Sequence, residues 1–174
     1  MANDQWVLLV DPAWAPSSTQ DGAEVAAPPL AAVVGGWLAG EDGAVGRFEA
    51  NPAYVPSGPG SPTDPLDAVL RLVARGEADA AQLAAILRES TVSVALDVDD
   101  EPLVAPSPDN LPCVLATTAP AHRTRVRATG WHPVAAHDLP ALLDTHDGVD
   151  LLLNPGAPGC TRLLADTIRD ALAG

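Results

Sequence analysis

Ser90-Thr91-Val92-Ser93-Val94-Ala95-Leu96-Asp97-Val98 is the stretch on which the architecture turns. Val92, Val94, Leu96 and Val98 alternate with Ser93, Ala95 and Asp97, and a period of two places four apolar side chains on one face of a strand. Turn residues follow at Asp99-Asp100-Glu101-Pro102 and again at Pro106, Pro108, Asp109 and Asn110, before a second apolar run from Leu111 to Leu115. The pattern predicts a β-hairpin with an irregular acidic loop, and a half-apolar sheet must be covered by something.

The segments on either side supply the cover. Asp64 is suited to cap a helix that has Pro65 at its first position and presents Leu66, Val69, Leu70 and Val73 on one face until Gly76. A second helix is predicted from about Asp79 to Glu89, with Leu83, Ile86 and Leu87 inward. Asp138 is expected to cap a third that presents Leu139, Leu142 and Leu143. A fourth is expected from about Thr161, presenting Leu164, Ile168, Ala171 and Leu172. Val149 to Leu153 reads as a strand apolar on both faces and therefore central, and Trp131 to Val134 as extended. Pro120 to Thr129 fits a short helix or an irregular strand equally well.

Towards the amino end, Trp6 to Val10 reads as a short strand, and Ala31 to Leu38 with Val45 to Ala50 as a second hairpin turning at Gly40-Glu41-Asp42-Gly43. Gly35-Gly36 suggests a bulge or a close approach of backbones. Residues 16–29 are small, polar and proline-bearing, as in a surface loop. Pro52, Pro56, Pro59, Pro62 and Pro65 make Asn51 to Pro65 an extended connection, with Tyr54 as its anchor to the core. The expectation is one α+β domain over 1–174, with helices packed on a single mixed or antiparallel sheet.

Composition narrows the function. The formal charge is −14 with no lysine, and all nine basic residues are arginine. That balance argues against nucleic acid and against adhesion to an anionic membrane, while it suits a basic protein partner. No run approaches the roughly 20 apolar residues of a spanning helix, and Trp6 to Val10 lacks the basic leader and length of a signal core. Cys113 and Cys160 lack redox or metal spacing and read as reduced structural thiols, as in a cytoplasmic protein.

Catalytic patterns are missing from the sequence: no phosphate loop with its lysine, no dinucleotide fingerprint, no nucleophile elbow and no paired zinc histidines. His122, His132, His137 and His146 fall in a short span without ligand spacing, and Asp97, Asp99, Asp100 and Glu101 lack the order of a calcium loop. Neither a metal nor a cofactor is expected. Arg123, Arg125 and Arg127 form a local basic patch, all on one face if the segment is a strand, with 123 and 127 aligned if it is a helix. They either hold a carboxylate or phosphate of a partner, or, more plainly, offset acidic groups of the protein's own surface.

Five motifs run in a telling order: Trp6-Val7-Leu8-Leu9-Val10-Asp11-Pro12-Ala13-Trp14, Val33-Val34-Gly35-Gly36-Trp37, Asn51-Pro52-Ala53-Tyr54-Val55-Pro56-Ser57, Pro62-Thr63-Asp64-Pro65-Leu66-Asp67-Ala68 and Val149-Asp150-Leu151-Leu152-Leu153-Asn154-Pro155. In this the chain resembles the type VII secretion system-associated proteins of actinobacteria, which are similar to the SseB-like N-terminal domain. The resemblance implies a small α+β domain and a gene context beside a secretion apparatus. It implies no enzymatic activity and no catalytic residues. Such proteins often show a phenylalanine-threonine pair after the central strand, where this chain has Ala116-Thr117-Thr118.

Asp11-Pro12, Asn51-Pro52 and Asn154-Pro155 each end a strand, and three ends built alike would gather their loops into one composite surface. The candidate partner-binding residues are accordingly Trp14, Trp37, Tyr54, Asn154 and the three arginines. The leading expectation is a non-enzymatic cytoplasmic interaction protein, accessory or chaperone-like, that meets a secretion substrate or a machinery component. The alternative is an immunity protein that blocks a basic toxin. A third is a small enzyme or ligand-binding domain with its site between Pro106–Asn110 and the loop after Asn154. Homodimerisation through an exposed sheet edge stays open.

Overall fold

The computed structural model describes residues 5–14, 27–39 and 45–173. Of the surface loop expected over 16–29 only 27–29 fall among these, and the turn at 40–43 lies outside them. The architecture is α+β, with the strands divided between two sheets rather than gathered in one. The first three strands, β1 (Gln5–Val10), β2 (Val33–Ala39) and β3 (Val45–Ala50), form an antiparallel sheet in chain order. The division has a local cause. The proline-rich connection 51–64 carries no strand, and the chain then enters two helices before a strand forms again.

The helices are α1 (Pro65–Ala74) and α2 (Ala80–Arg88). The Asp64 carboxylate accepts the Asp67 N–H, Pro65 opens α1, and Gly76 follows its end at φ +71°. Asp79 and Gln82 form a reciprocal capping box at the start of α2. The decisive stretch then forms β4 (Thr91–Leu96) and β6 (Pro112–Thr117), antiparallel neighbours as expected. Their loop holds one more short strand, β5 (Val104–Pro106), which takes over the pairing with β6 where β4 leaves it. β4 ends at Leu96, so Val98 is 83% exposed and does not join the apolar face.

A 3-10 helix over Pro120–Arg125 follows, which is the form the sequence left undecided. β7 (Gly130–Ala135) pairs with β4, α3 (Leu139–Asp144) crosses over, and β8 (Asp150–Leu153) returns parallel to β6. The Asp138 side chain makes no capping hydrogen bond to α3. At the carboxyl end, Thr161–Leu163 is a strand, β9, on the far side of β8, and α4 (Ala165–Leu172) starts later than its periodicity predicts. Leu164 is consequently exposed and Ile168 is the buried contact of that helix. The β-branched Thr161, next to the free edge of β8, gains more from pairing than from one further helical turn. The large sheet runs β7-β4-β6-β8-β9, which makes β8 interior as expected.

One face of the large sheet, with Val92, Val94, Val114, Ala116, Leu151 and Leu153, shares a core with Leu70, Ile86, Leu139 and Ile168 of the four helices. Leu9, Val34, Trp37 and Phe48 of the small sheet belong to the same core, and the Trp37 ring meets Phe48 edge-on at 5.2 Å. Gly35 allows this meeting, because a Cβ there would overlap the Phe48 ring and lie 2.5 Å from the Glu49 carbonyl oxygen. The other face, with Ala95, Cys113, Leu115 and Leu152, packs against Val126 and Trp131 from the segment after β6 and from β7. Both cysteines are free, and burial pushes the Cys113 thiol up.

Candidate functional site

The parallel pairing of β6 and β8 brings two carboxyl ends to one place, Thr117-Thr118 beside Asn154, and the amino end of α1 lies against them. Asn154 adopts φ 51°, uncommon for a residue with a side chain. Its carboxamide spans the gap: Oδ1 accepts the Thr118 N–H at 2.9 Å, and Nδ2 donates to Thr118 Oγ1 at 3.0 Å and to Asp67 Oδ1 at 3.5 Å. Thr118 Oγ1 donates in turn to the capping carboxylate of Asp64 at 2.7 Å.

Asp67 sits behind this bridge with no solvent exposure. It accepts the Thr63 N–H at 3.0 Å and Arg71 Nη2 at 2.7 Å, one helical turn on. Arg71 also donates to the Gly60 carbonyl at 2.7 Å, so the pair pins the proline-rich connection to α1. His122 is buried on the same group, its Nε2 3.0 Å from Thr63 Oγ1 and 3.6 Å from Asp67 Oδ2. The Thr63 hydroxyl has one proton and two carboxylates to receive it, Asp64 at 2.7 Å and Asp67 at 3.4 Å. With that proton directed to a carboxylate, the Thr63 oxygen is left as an acceptor for an N–H at Nε2 of His122. Gly159 closes the cluster, since a Cβ there would be 2.5 Å from Asp67 Oδ1. This network contains donors and acceptors already matched to one another. It has an acid, a base and hydroxyls, but each is engaged in holding strand ends to a helix.

The candidate residues divide around it. Trp37 is buried, and its indole N–H faces the Gln82 carbonyl at 3.4 Å, so it belongs to the core and not to a surface. Tyr54 is half-buried as an anchor: its hydroxyl donates to the Pro62 carbonyl at 3.0 Å and lies 3.3 Å from Asp11. Burial, then the neighbouring Asp11 carboxylate, push this phenol up to about 12. Burial alone would raise the Asp11 carboxyl. The Ser57 and Ala13 N–H groups that it accepts at 2.9 Å outweigh this and hold it below the usual carboxylate range. Asn51 acts alike, receiving the Ala53 N–H and donating to the Leu30 and Val33 carbonyls. Trp14 is half-buried just after Asp11.

Parts of the connections that follow β1, β3 and β8 meet, though Asn51-Pro52 and Asn154-Pro155 themselves do not line the place. Pro12, Ala13, Gly60 and Pro158 share a cleft of about 330 Å³ floored by Arg71. The other expected juxtaposition does not occur. Pro106–Asn110 precede β6 whereas Asn154 follows β8, and in a parallel pair these are opposite ends. Arg162 ties the first of them down, bridging Asp109 and Asp150 at 2.7 Å each.

A larger cavity, about 530 Å³, opens between β3, the start of α1, the end of α2 and the start of β4, with Phe48, Leu66 and Ile86 as its apolar floor and Arg47, Glu49 and Glu89 at its rim. On the opposite side of the small sheet, Trp6 and Leu38 are cross-strand partners and Leu8 stands across from Gly36. Their outward face is apolar, with Trp6 41%, Leu8 50% and Leu38 36% exposed, and Val7 on the same edge strand is 47% exposed. Among the described residues β1 pairs with β2 alone. Arg125 and Arg127 are exposed, while Arg123 lies under Trp131, 5.3 Å from the ring centroid.

Sequence reasoning placed Asp67 and Arg71 only within a helix. Their spacing of four sets them on one row of the helix, beside the apolar stripe of Leu66, Val69, Leu70 and Val73, which is the signal that marks a pair. His122 carried no such mark, because its burial depends on where the 3-10 helix lands. Among the described residues no three His, Cys, Asp or Glu side chains are grouped to hold a metal ion, and no helix is long and apolar enough to cross a membrane. A scan of protein-family models and searches of curated proteins and of solved structures found no match.

Proposed function

We propose that this chain is a non-enzymatic interaction module of the cytoplasm, an accessory or chaperone-like factor of type VII secretion. The secretion context comes from the order of the five sequence motifs. The observation that carries the interaction reading is the outward face of the small sheet. Trp6 and Leu8 of β1 and Leu38 of β2 expose apolar surface side by side, and β1, an edge strand among the described residues, carries no charge or proline to discourage pairing. Edges are normally protected by such residues, and an unprotected one with an apolar face suits a partner strand or an apolar segment. The polar network at the strand ends supports the same reading, because its groups are mutually satisfied and leave no nucleophile and base facing open space.

The test is affinity purification of the tagged protein from its own host at low and at high salt, beside a Trp6→Glu/Leu8→Lys variant whose fold is checked by circular dichroism. Secretion substrates or machinery retained by the parent and lost by the variant support the proposal. Retention of nothing by the parent overturns it.

The charge of −14 favours a second reading, an immunity protein set against a basic toxin. Such a pair associates fast and weakens as salt rises. Capture of a single stoichiometric toxin, lost at high salt but kept by the Trp6→Glu/Leu8→Lys variant, would select it.

A further inference from the structure

In a chain with 23 acidic residues an arginine has no shortage of carboxylates, and most of the nine find one. Five of the six outside the segment 123–127 pair with Asp or Glu at 2.5 to 3.7 Å. The sixth, Arg88, donates to the Ala171 carbonyl. Arg123, Arg125 and Arg127 form no salt bridge among the described residues, so none of the described carboxylates holds them directly.

Arg123 is fixed in place rather than loose. Its Nη2 donates to Ser93 Oγ at 2.8 Å and its guanidinium lies against Trp131. Even so, its Nε–H is buried with no partner among the described residues, and so is Thr117 Oγ1, on the residue that pairs with Ser93 across the strands. A guanidinium that is oriented but lacks its counter-charge is preorganised for an oxyanion from outside, since little ordering remains to be done on binding. Arg125 and Arg127, two and four residues further on, are exposed. Arg125 extends over the turn after β8, its Cδ 4.0 Å from where a Cβ on Gly156 would stand.

The geometry points to Arg123, Arg125 and Arg127 as the docking surface for a short acidic peptide segment of a protein partner. This rests on the reading of the chain as an interaction module and names the chemistry of one contact. Charge complementarity selects the occupant. Aspartate and glutamate side chains match the planar donors of arginine, and a short segment carries its negative charge no further than the patch. A nucleic acid would continue past it along a surface of net charge −14 and be repelled.

The probe is fluorescein-labelled hexaglutamate, titrated with the full chain and followed by anisotropy at low salt. Hexaglutamine, a phosphoserine peptide and oligothymidylate serve as comparisons. The variant is Arg125→Gln/Arg127→Gln, two exposed changes whose fold is verified by circular dichroism. Hexaglutamate binding that weakens at least about tenfold in the variant, with none to hexaglutamine, is the expected result. No binding of hexaglutamate, or equal binding by parent and variant, overturns the assignment. Tighter binding of the phosphoserine peptide or the oligonucleotide overturns the choice of a carboxylate segment. The two proposals fail separately. A host partner that the variant retains as well as the parent removes the arginine surface and leaves the module standing, whereas a parent that retains no partner removes the module.

Discussion

Replacing Asp67 by Ala tests the account of the strand-end network most directly. The carboxylate has zero exposure, and its guanidinium partner at 2.7 Å is only 11% exposed. Removing one member of a buried pair strands the other charge, at a cost of about 3–5 kcal/mol. The Thr63 N–H loses its acceptor as well, and an unpaired buried donor costs about 1–3 kcal/mol. Arg71 lies near the surface and can recover part of the loss by turning towards water, so a total of about 4 kcal/mol follows from the lower half of these ranges. With a urea slope of about 2 kcal/mol/M for a domain of this size, the unfolding midpoint falls by about 2 M. Tryptophan fluorescence during urea unfolding at neutral pH gives the measurement. A double-mutant cycle with Arg71→Met isolates the pair, and a coupling of at least about 2 kcal/mol is expected because the two groups share one buried contact. Asp67→Asn, which keeps an acceptor for the Thr63 N–H, supplies a milder step should the alanine variant not fold. A midpoint loss below about 0.5 M for Asp67→Ala, or two substitutions that simply add, would refute the reasoning.

Glycine substitutions should rank by what a Cβ would meet. Gly159→Ala drives a methyl to 2.5 Å from Asp67 Oδ1 and Gly35→Ala overlaps the Phe48 ring, so each should lose about 1–3 kcal/mol in the same unfolding assay. Gly58→Ala meets nothing within 4 Å and should leave the midpoint unchanged or slightly raised. The chain has one tyrosine, so its phenolate absorbance reports a single group. With Tyr54 raised to about 12, ionisation should begin well above the ordinary range, and Asp11→Asn should lower the midpoint by removing the adjacent negative charge. Because that value lies above the unfolded one, the stability Tyr54 contributes is complete below about pH 10 and is lost as pH rises towards the folded value. The sign is opposite at Asp11, whose folded value is depressed. Its contribution is complete above the unfolded carboxyl value of about 3.9 and disappears as pH falls through the folded one. The melting-temperature gap between the parent and Asp11→Asn should therefore be constant near neutrality and close under strong acid; a gap that widens on acidification would contradict the depressed value.

Much of the fold was legible in particular residues. The alternation Val92, Val94 against Ser93, Ala95 named β4, and Asp64-Pro65 and Gly76 bounded α1, because periodicity and capping are local and act over a few bonds. Where two local options were nearly equal the chain alone could not choose. Thr161–Leu163 suits a first helical turn, yet it becomes a strand because the edge of β8 lies beside it. Leu96 and Val98 obey one alternation, but the sheet ends between them.

The candidate surface divides in the same way. From the sequence alone came the clustering of Arg123, Arg125 and Arg127 within a strongly acidic chain, the single tyrosine and the uncharged run Trp6 to Val10. These are properties of order and composition and need no folding. Only the tertiary structure decided that Trp37 turns into the core, that Pro106–Asn110 and Asn154 lie at opposite ends of a parallel pair, and that His122 reaches Thr63 and Asp67. Each depends on segments far apart in the chain arriving at one place, and burial, hydrogen-bond partners and the sharing of charge between side chains are defined only when they have.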